Sequence, residues 1–182
     1  MREIDKRLGI LITAGDDNYL NIRKLYDFEL LVPIKITEKY KITLAKISHL
    51  NLLYIICFNK KKNKSRIFGY TLNGIIFAKS IYGLYDTLDF TKKGNIVTWN
   101  NKSEIQVLYS YNLEKKPLDE KHKKEFDSKI SKLKDSTWIK FDFLSDKNYL
   151  DTNTKIITYT KNETNNSHFI KALDLSDFNY VD

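Results

Sequence analysis

The sequence predicts an all-β protein made of a repeated unit of short antiparallel strands. The clearest local signal is Asn73-Gly74, which lies between two β-prone runs, Ser65–Leu72 and Ile75–Lys79. An Asn-Gly pair between such runs favours a tight β-hairpin turn in which both residues have positive φ. Aromatic side chains make up 13% of the chain, which suits strands better than helices or disorder.

Repetition gives the second observation. Apolar runs that lead into a polar turn and a further strand recur about every 43 residues, with one longer interval of about 60, a spacing typical of WD40 β-propeller blades. The runs begin at Ile10, Leu53, Ile96 and Ile156. We therefore expect a partial WD40-like β-propeller of about three to four blades, begun and ended in mid-blade, with one inserted α-helix.

The expected blades fall within one domain, residues 1–182, at about 8–36, 42–80, 84–111 and 136–175. Pro33 places the third strand of the first unit at a sheet edge, because proline cannot donate to a strand ladder. The run Leu53–Phe58 shows no polar alternation, so both of its faces should be covered, as in a strand between two blades. Such an incomplete ring predicts a chain that is poorly soluble or oligomeric by itself.

The long interval contains the one segment with helical periodicity, residues 117–134. A stripe of apolar side chains follows Pro117 on an otherwise charged helix. Its members are Leu118, Phe126, Ile130 and Leu133. The stripe can pack on the same protein, which we favour, or on a partner.

The formal net charge of +8 raises the possibility of a nucleic-acid or acidic-membrane ligand. The dense basic run is Lys60, Lys61, Lys62 and Lys64, between two predicted strands. A solvated hairpin loop is the preferred interpretation, and these lysines are weak candidates for partner binding. Nucleic acid is the less favoured ligand.

Cys57, the sole cysteine, lies inside an apolar run, which excludes a disulfide framework and favours a buried thiol. The apolar part of the N-terminal segment is too short for a signal peptide or a membrane span. These features predict a cytoplasmic, soluble protein.

The sequence contains no recognisable catalytic, phosphate-binding or metal-binding motif, so we predict a non-enzymatic protein with no cofactor and no metal. His49, His122 and His168 are far apart. The close acidic residues are Asp16, Asp17, Asp86 and Asp89. We expect these aspartates to accept backbone hydrogen bonds in tight turns. Trp99 and Trp138 lie within predicted strands, where burial between blades is favoured over exposure in a binding surface.

Four stretches resemble the C-terminal WD40 propeller of BEACH-domain proteins, the neurobeachin-like trafficking scaffolds. They are LGILITAGDDNYLNIRKLYDFELL, RIFGYTLNGIIFAKS, LYDTLDFTKKGNIVTWNNKSEIQVLYSYNLEKKP and WIKFDFLSDKNYLDTNTKIITYT. The resemblance implies a protein–protein interaction module in vesicle trafficking, and it transfers no individual functional residue.

The partners that this resemblance implies are the remaining blades and the BEACH region of a longer polypeptide. It also allows a location peripheral to intracellular membranes. The alternative is a small basic domain that binds nucleic acid or an anionic membrane surface through its lysine-rich loops.

Overall fold

The computed structural model describes residues 1–90, 94–99, 105–117, 124, 137–144, 155–161 and 168–174. This part of the chain is all-β, as the sequence predicts, with fourteen strands in four antiparallel sheets. Sheet A contains β1 (Arg2–Asp5), β2 (Ile10–Ala14), β3 (Tyr19–Lys24) and β4 (Leu30–Lys35). Sheet B contains β5 (Tyr40–Ile47), β6 (Leu52–Asn59), β7 (Lys64–Thr71) and β8 (Ile76–Lys79). Sheet C contains β9 (Thr87–Phe90), β10 (Ile96–Trp99) and β11 (Ile105–Leu108), and sheet D contains β12 (Thr137–Leu144), β13 (Lys155–Lys161) and β14 (His168–Asp174).

Within each sheet, strands that follow one another in the chain are hydrogen-bonded neighbours. Pro33 lies on β4 at the edge of sheet A, where its missing N–H costs no ladder hydrogen bond. Sheet A also contains β1, a strand that the sequence patterns did not indicate. Its alternating exposed and half-buried residues, Arg2–Asp5, carry too little apolar character for such a pattern.

Sheet B lies between sheets A and C, and its second strand, β6, contributes side chains to both interfaces. Successive β6 side chains point to opposite faces, so Leu53 and Ile55 pack with sheet A whereas Tyr54 and Ile56 pack with sheet C. All four are fully buried. The prediction that this strand is covered on both faces is therefore confirmed.

The first strands of the three stacked sheets lie next to one another. β5 contacts β1 of sheet A on one side and β9 of sheet C on the other. In the outer part of the stack, sheets A and B are in contact through the turn at Gly74, which packs on β4. A Cβ added to Gly74 would lie 3.0 Å from Val32 Cγ1. Sheets A and B are thus in contact both at their first strands and in their outer region.

The predicted Asn73-Gly74 hairpin is present, but its predicted turn geometry is wrong. Gly74 has a φ of +82°, whereas Asn73 is not among the residues with positive φ. Thr71 O accepts a hydrogen bond from Gly74 N at 3.0 Å, and Thr71 N donates to Ile75 O at 2.9 Å. This is a three-residue loop, a turn followed by one left-handed glycine, so only the second residue of the pair needs positive φ.

Asparagine takes the left-handed position in other hairpin turns. Asn18, Asn51 and Asn63 have φ values of 61°, 59° and 48°. Asparagine tolerates this region better than most residues with a side chain. This explains how a chain with only 6 glycines forms many tight turns.

The helix predicted over 117–134 lies outside the described residues, except for positions 117 and 124. Trp99 and Trp138 lie on β10 and β12, within strands as predicted. In the part of the chain that the structure describes, no helix has the length and apolar character needed to cross a membrane.

Candidate functional site

The lysine-rich run forms the tight loop between β6 and β7, at the end of sheet B where β5 begins. Asn63 is left-handed there, and Asn59 Oδ1 accepts a hydrogen bond from Lys62 N at 3.1 Å. Asn59 is itself buried. The loop is therefore held from inside by one amide side chain, and its lysine side chains are exposed.

Tyr82 is held beside this loop by the segment that follows β8. Ser65 and Gly83 exchange two backbone hydrogen bonds, of 2.7 and 3.0 Å. The buried Ser80 hydroxyl accepts a hydrogen bond from Ile67 N at 2.9 Å and donates one to Ile81 O at 2.8 Å. These contacts on both sides of Tyr82 fix its backbone against the start of β7.

Cations and tyrosine rings alternate at this end of sheet B. Arg66 Cζ lies 4.0 Å from the centroid of the Tyr82 ring, and Lys62 Nζ lies 4.1 Å from the same centroid. The hydroxyls of Tyr82 and Tyr40 are 2.7 Å apart. Lys39 Nζ lies 5.3 Å from the centroid of Tyr40. We refer to Lys39, Tyr40, Lys62, Arg66 and Tyr82 as the basic cluster.

The cations of the basic cluster have no acidic partner within the described ranges. The ion pairs there join Arg7 to Asp5, Lys24 to Glu29 and Lys46 to Asp89, all outside the cluster. Arg66 Nε is buried without a hydrogen-bond acceptor. Among the described residues, the positive charge of the basic cluster is therefore not compensated, and the Nε–H donor of Arg66 is unused.

The two tyrosines of the pair have opposite pKa shifts. The hydrogen bond from Tyr40 lowers the pKa of Tyr82, and the charges of Lys62 and Arg66 lower it further despite opposing desolvation. Burial raises the pKa of Tyr40, and its hydrogen bond to Tyr82 adds to this shift. When the pair loses a proton, the negative charge is thus expected on Tyr82, beside the two cations.

Of the predicted candidates Lys60, Lys61, Lys62 and Lys64, only Lys62 contacts a ring of the basic cluster. The other three are exposed around the same loop. Sequence reasoning missed Arg66, because it lies within a predicted strand and not in the loop, and it missed Tyr40 and Tyr82, because they reach the loop from separate segments. The sequence offered one signal, since Arg66 stands two residues after Lys64 and so extends the basic run into β7 on the same face of the strand.

A second polar group lies where the first strands of the stacked sheets meet. Lys46 Nζ donates to Asp89 Oδ2 at 2.8 Å. Burial raises the pKa of Glu3 on β1, an effect that Lys46 opposes and Asp89 reinforces. Among the described residues, no group of three or more His, Cys, Asp or Glu side chains could hold a metal ion.

Asp17 and Cys57 are further predicted residues with structural contacts. Asp17 Oδ1 accepts a hydrogen bond from Tyr19 N at 3.1 Å in the β2–β3 turn. Cys57 is buried, and burial raises the pKa of its thiol to about 12, which leaves it protonated at neutral pH.

No protein-family model matches the sequence, and no curated protein matches it. The fold is similar to that of a protein of unknown function from Bacteroides caccae, with a TM-score of 0.50 and 13% identity over 93% of this chain and 58% of that one. It is also similar to KlHsv2 with loop 6CD replaced by a Gly-Ser linker, a β-propeller-type protein, with a TM-score of 0.52 and 10% identity.

The second similarity covers 94% of this chain and 56% of KlHsv2. The chain therefore spans less than two thirds of either structure. At these identities the likeness concerns the fold alone.

Proposed function

We propose that this chain is a non-enzymatic interaction module that binds an acidic segment of a partner protein through its basic cluster. The observation that carries this proposal is that two cations, Lys62 and Arg66, pack against the ring of Tyr82. Neither forms an ion pair with a carboxylate among the described residues. Guanidinium and ammonium groups left in this state favour an anionic ligand.

The proposed architecture is a segment of a WD40-like propeller, in which sheets A, B and C are successive blades and residues 117–134 form an inserted helix. Face-to-face stacking of antiparallel sheets with adjoining first strands supports it. The likeness of fold to a β-propeller-type protein gives further support.

The sequence resemblance supports a more specific form of the proposal. In it, the chain is the C-terminal propeller portion of a BEACH-type trafficking scaffold in the cytoplasm, peripheral to intracellular membranes. The remaining blades and the BEACH region then belong to the same polypeptide. This form rests on the resemblance of the four stretches.

Fluorescence anisotropy of a labelled hexaglutamate peptide with the full chain tests acidic-segment binding. We expect saturable binding that weakens with added salt and falls at least tenfold in the double variant K62Q/R66Q. The matched control is K35Q, because Lys35 Nζ also lies near a tyrosine ring, 5.9 Å from the centroid of Tyr19 on sheet A. Equal binding by K35Q and K62Q/R66Q would contradict the proposal.

A second candidate function is attachment to an anionic membrane surface. It is supported by the exposed side chains of Lys60, Lys61 and Lys64 around the same loop. Vesicles of phosphatidylcholine with and without phosphatidylserine separate it from peptide binding. If only the anionic vesicles bind and K60Q/K61Q/K64Q releases them, the membrane function is favoured; selective binding of a single-stranded oligonucleotide would favour nucleic acid instead.

A further inference from the structure

We propose that Arg66 and Lys62 form a site for one phosphate group, carried by a phosphorylated side chain in the partner's acidic segment. This inference rests on the proposed function in one respect, because the phosphate group is presented by the partner protein. The site itself consists of residues from the loop after β6 and from β7.

Arg66 packs against the Tyr82 ring, with its Cζ 4.0 Å from the ring centroid. A guanidinium that packs on an aromatic ring uses its π face and keeps its in-plane N–H groups for an anion. Arg66 Nε is buried and has no acceptor among the described residues, so a ligand cannot reach this nitrogen. A ligand oxygen therefore has to bind through the terminal nitrogens of the guanidinium group.

Lys62 adds a second cation beside the same ring, 4.1 Å from its centroid. The backbone of the loop that carries Lys62 is fixed, because Lys62 N donates a hydrogen bond to Asn59 Oδ1. Tyr82 is fixed in turn by its hydroxyl contact with Tyr40 and by the Ser65–Gly83 backbone pairing. The loop backbone and the ring that both cations contact are thus anchored before a ligand arrives, which reduces the entropy lost on binding.

The charge of the site distinguishes phosphate from carboxylate. A phosphorylated side chain carries about −1.5 to −2 at pH 7 with three acceptor oxygens, whereas a carboxylate carries a single charge and two oxygens. Two cations at one ring match the larger charge, and Lys39 together with the exposed loop lysines adds to the attraction. The positive field that lowers the pKa of Tyr82 acts in the same region.

The experiment uses the full chain and three labelled pentapeptides with two glycines on each side of a central phosphoserine, glutamate or serine. We expect the phosphoserine peptide to bind at least tenfold more tightly than the glutamate peptide, and the serine peptide not to bind. Inorganic phosphate should compete, whereas chloride at the same ionic strength should not.

The informative variant is R66K, which keeps the charge but loses the planar fork, and we expect it to weaken phosphoserine binding at least tenfold. K62Q should weaken it as well, whereas K35Q should bind like the wild type. Thermal unfolding followed by circular dichroism checks that each variant is folded.

The outcomes separate the two proposals. If the glutamate and phosphoserine peptides bind equally and R66K matches the wild type, the phosphate site is rejected while acidic-segment binding stands. If hexaglutamate and all three pentapeptides fail to bind, both proposals fail. If phosphate competes but R66K and K62Q leave its effect unchanged, the phosphate site is also rejected, because the ion then binds elsewhere.

Discussion

Lys46 Nζ on β5 donates to Asp89 Oδ2 on β9 at 2.8 Å, and this ion pair joins the first strands of sheets B and C. The same ammonium opposes the pKa rise of Glu3 on β1. One lysine therefore interacts electrostatically with carboxylates from two neighbouring sheets. It is the point at which the three first strands are linked by charge.

Replacing Lys46 by methionine should destabilise the fold by about 1 kcal/mol, at the upper end for partly exposed pairs. Both side chains are partly exposed, at 29% and 22%, so solvent screening limits the loss. Urea unfolding followed by circular dichroism measures it. The control is K41M at an exposed position on the same strand, which should change stability by less than about 0.5 kcal/mol. If the double variant K46M/D89N loses as much stability as K46M and D89N lose together, the two side chains are not coupled.

The raised pKa of Glu3 predicts a pH-dependent penalty. Burial is its main cause, so the folded state binds the Glu3 proton more tightly than the unfolded state, whose pKa is near the ordinary 4.5. The stabilising effect of the proton is full below that value and is lost as the pH rises through the folded pKa. E3Q should therefore be more stable than the wild type at pH 7.5, with the difference shrinking at pH 4. Urea unfolding at both pH values provides the measurement, and a constant difference would contradict this assignment.

The patterns that predicted the strands were the non-alternating run of β6 and the polar turns between apolar runs. They succeeded because burial on both faces leaves a direct mark on sequence. β1 was missed because its four residues, REID, show little apolar character. The basic cluster was only partly foreseen. Lys62 belongs to a visible run of charge, whereas Arg66 and Tyr82 meet it through strand pairing and the Ser65–Gly83 bridge, which no local pattern encodes.

Cys57 should be unreactive in the native protein. Its side chain is fully buried, and burial raises the pKa of the thiol to about 12, so thiolate is scarce at pH 8. We expect iodoacetamide to modify it about 10³-fold or more slowly than in urea, with a rate set by opening of the fold. The control is an accessible thiol introduced as K61C on a C57A background. Rapid native labelling of Cys57 would contradict its position between sheets A and B.

Gly69 is required by a neighbouring ring rather than by its backbone conformation. A Cβ at this position would lie 2.6 Å from Phe77 Cζ, and Phe77 packs edge-on against Tyr54 with centroids 5.9 Å apart. G69A should cost about 1 to 2 kcal/mol, because the ring must leave its place. In an F77A background the same change should be neutral or stabilising, since alanine restricts the unfolded chain more than glycine does.

Urea unfolding of the wild type, G69A, F77A and the double variant completes this cycle. G15A is a control with a smaller displacement and no ring, because its Cβ would lie 3.3 Å from Asp17 Oδ1. An equal cost of G69A with and without Phe77 would show that the ring is not responsible.

The Tyr40–Tyr82 pair predicts an order of ionisation among the tyrosines. The hydrogen bond from Tyr40 is the main cause that lowers the pKa of Tyr82, whereas burial raises the pKa of Tyr54 and of Tyr70 to about 12. Tyrosinate absorbance should therefore show an early phase below the ordinary pKa of 10, absent in Y82F. Y40F should move that phase upward because the donated hydrogen bond is lost, and K62Q should move it upward by a smaller amount.

The same shift has a consequence for stability. Because the folded state favours the ionised Tyr82, this contribution is complete above the unfolded pKa near 10 and is lost as the pH falls through the folded value. The free energy of unfolding of the wild type relative to Y82F should consequently rise with pH over that window. Urea unfolding of both proteins across the window measures it, with Y19F as a control for the loss of a hydroxyl elsewhere. A difference that does not vary with pH would place the early absorbance phase on another tyrosine and leave the cations of the basic cluster without an effect on Tyr82.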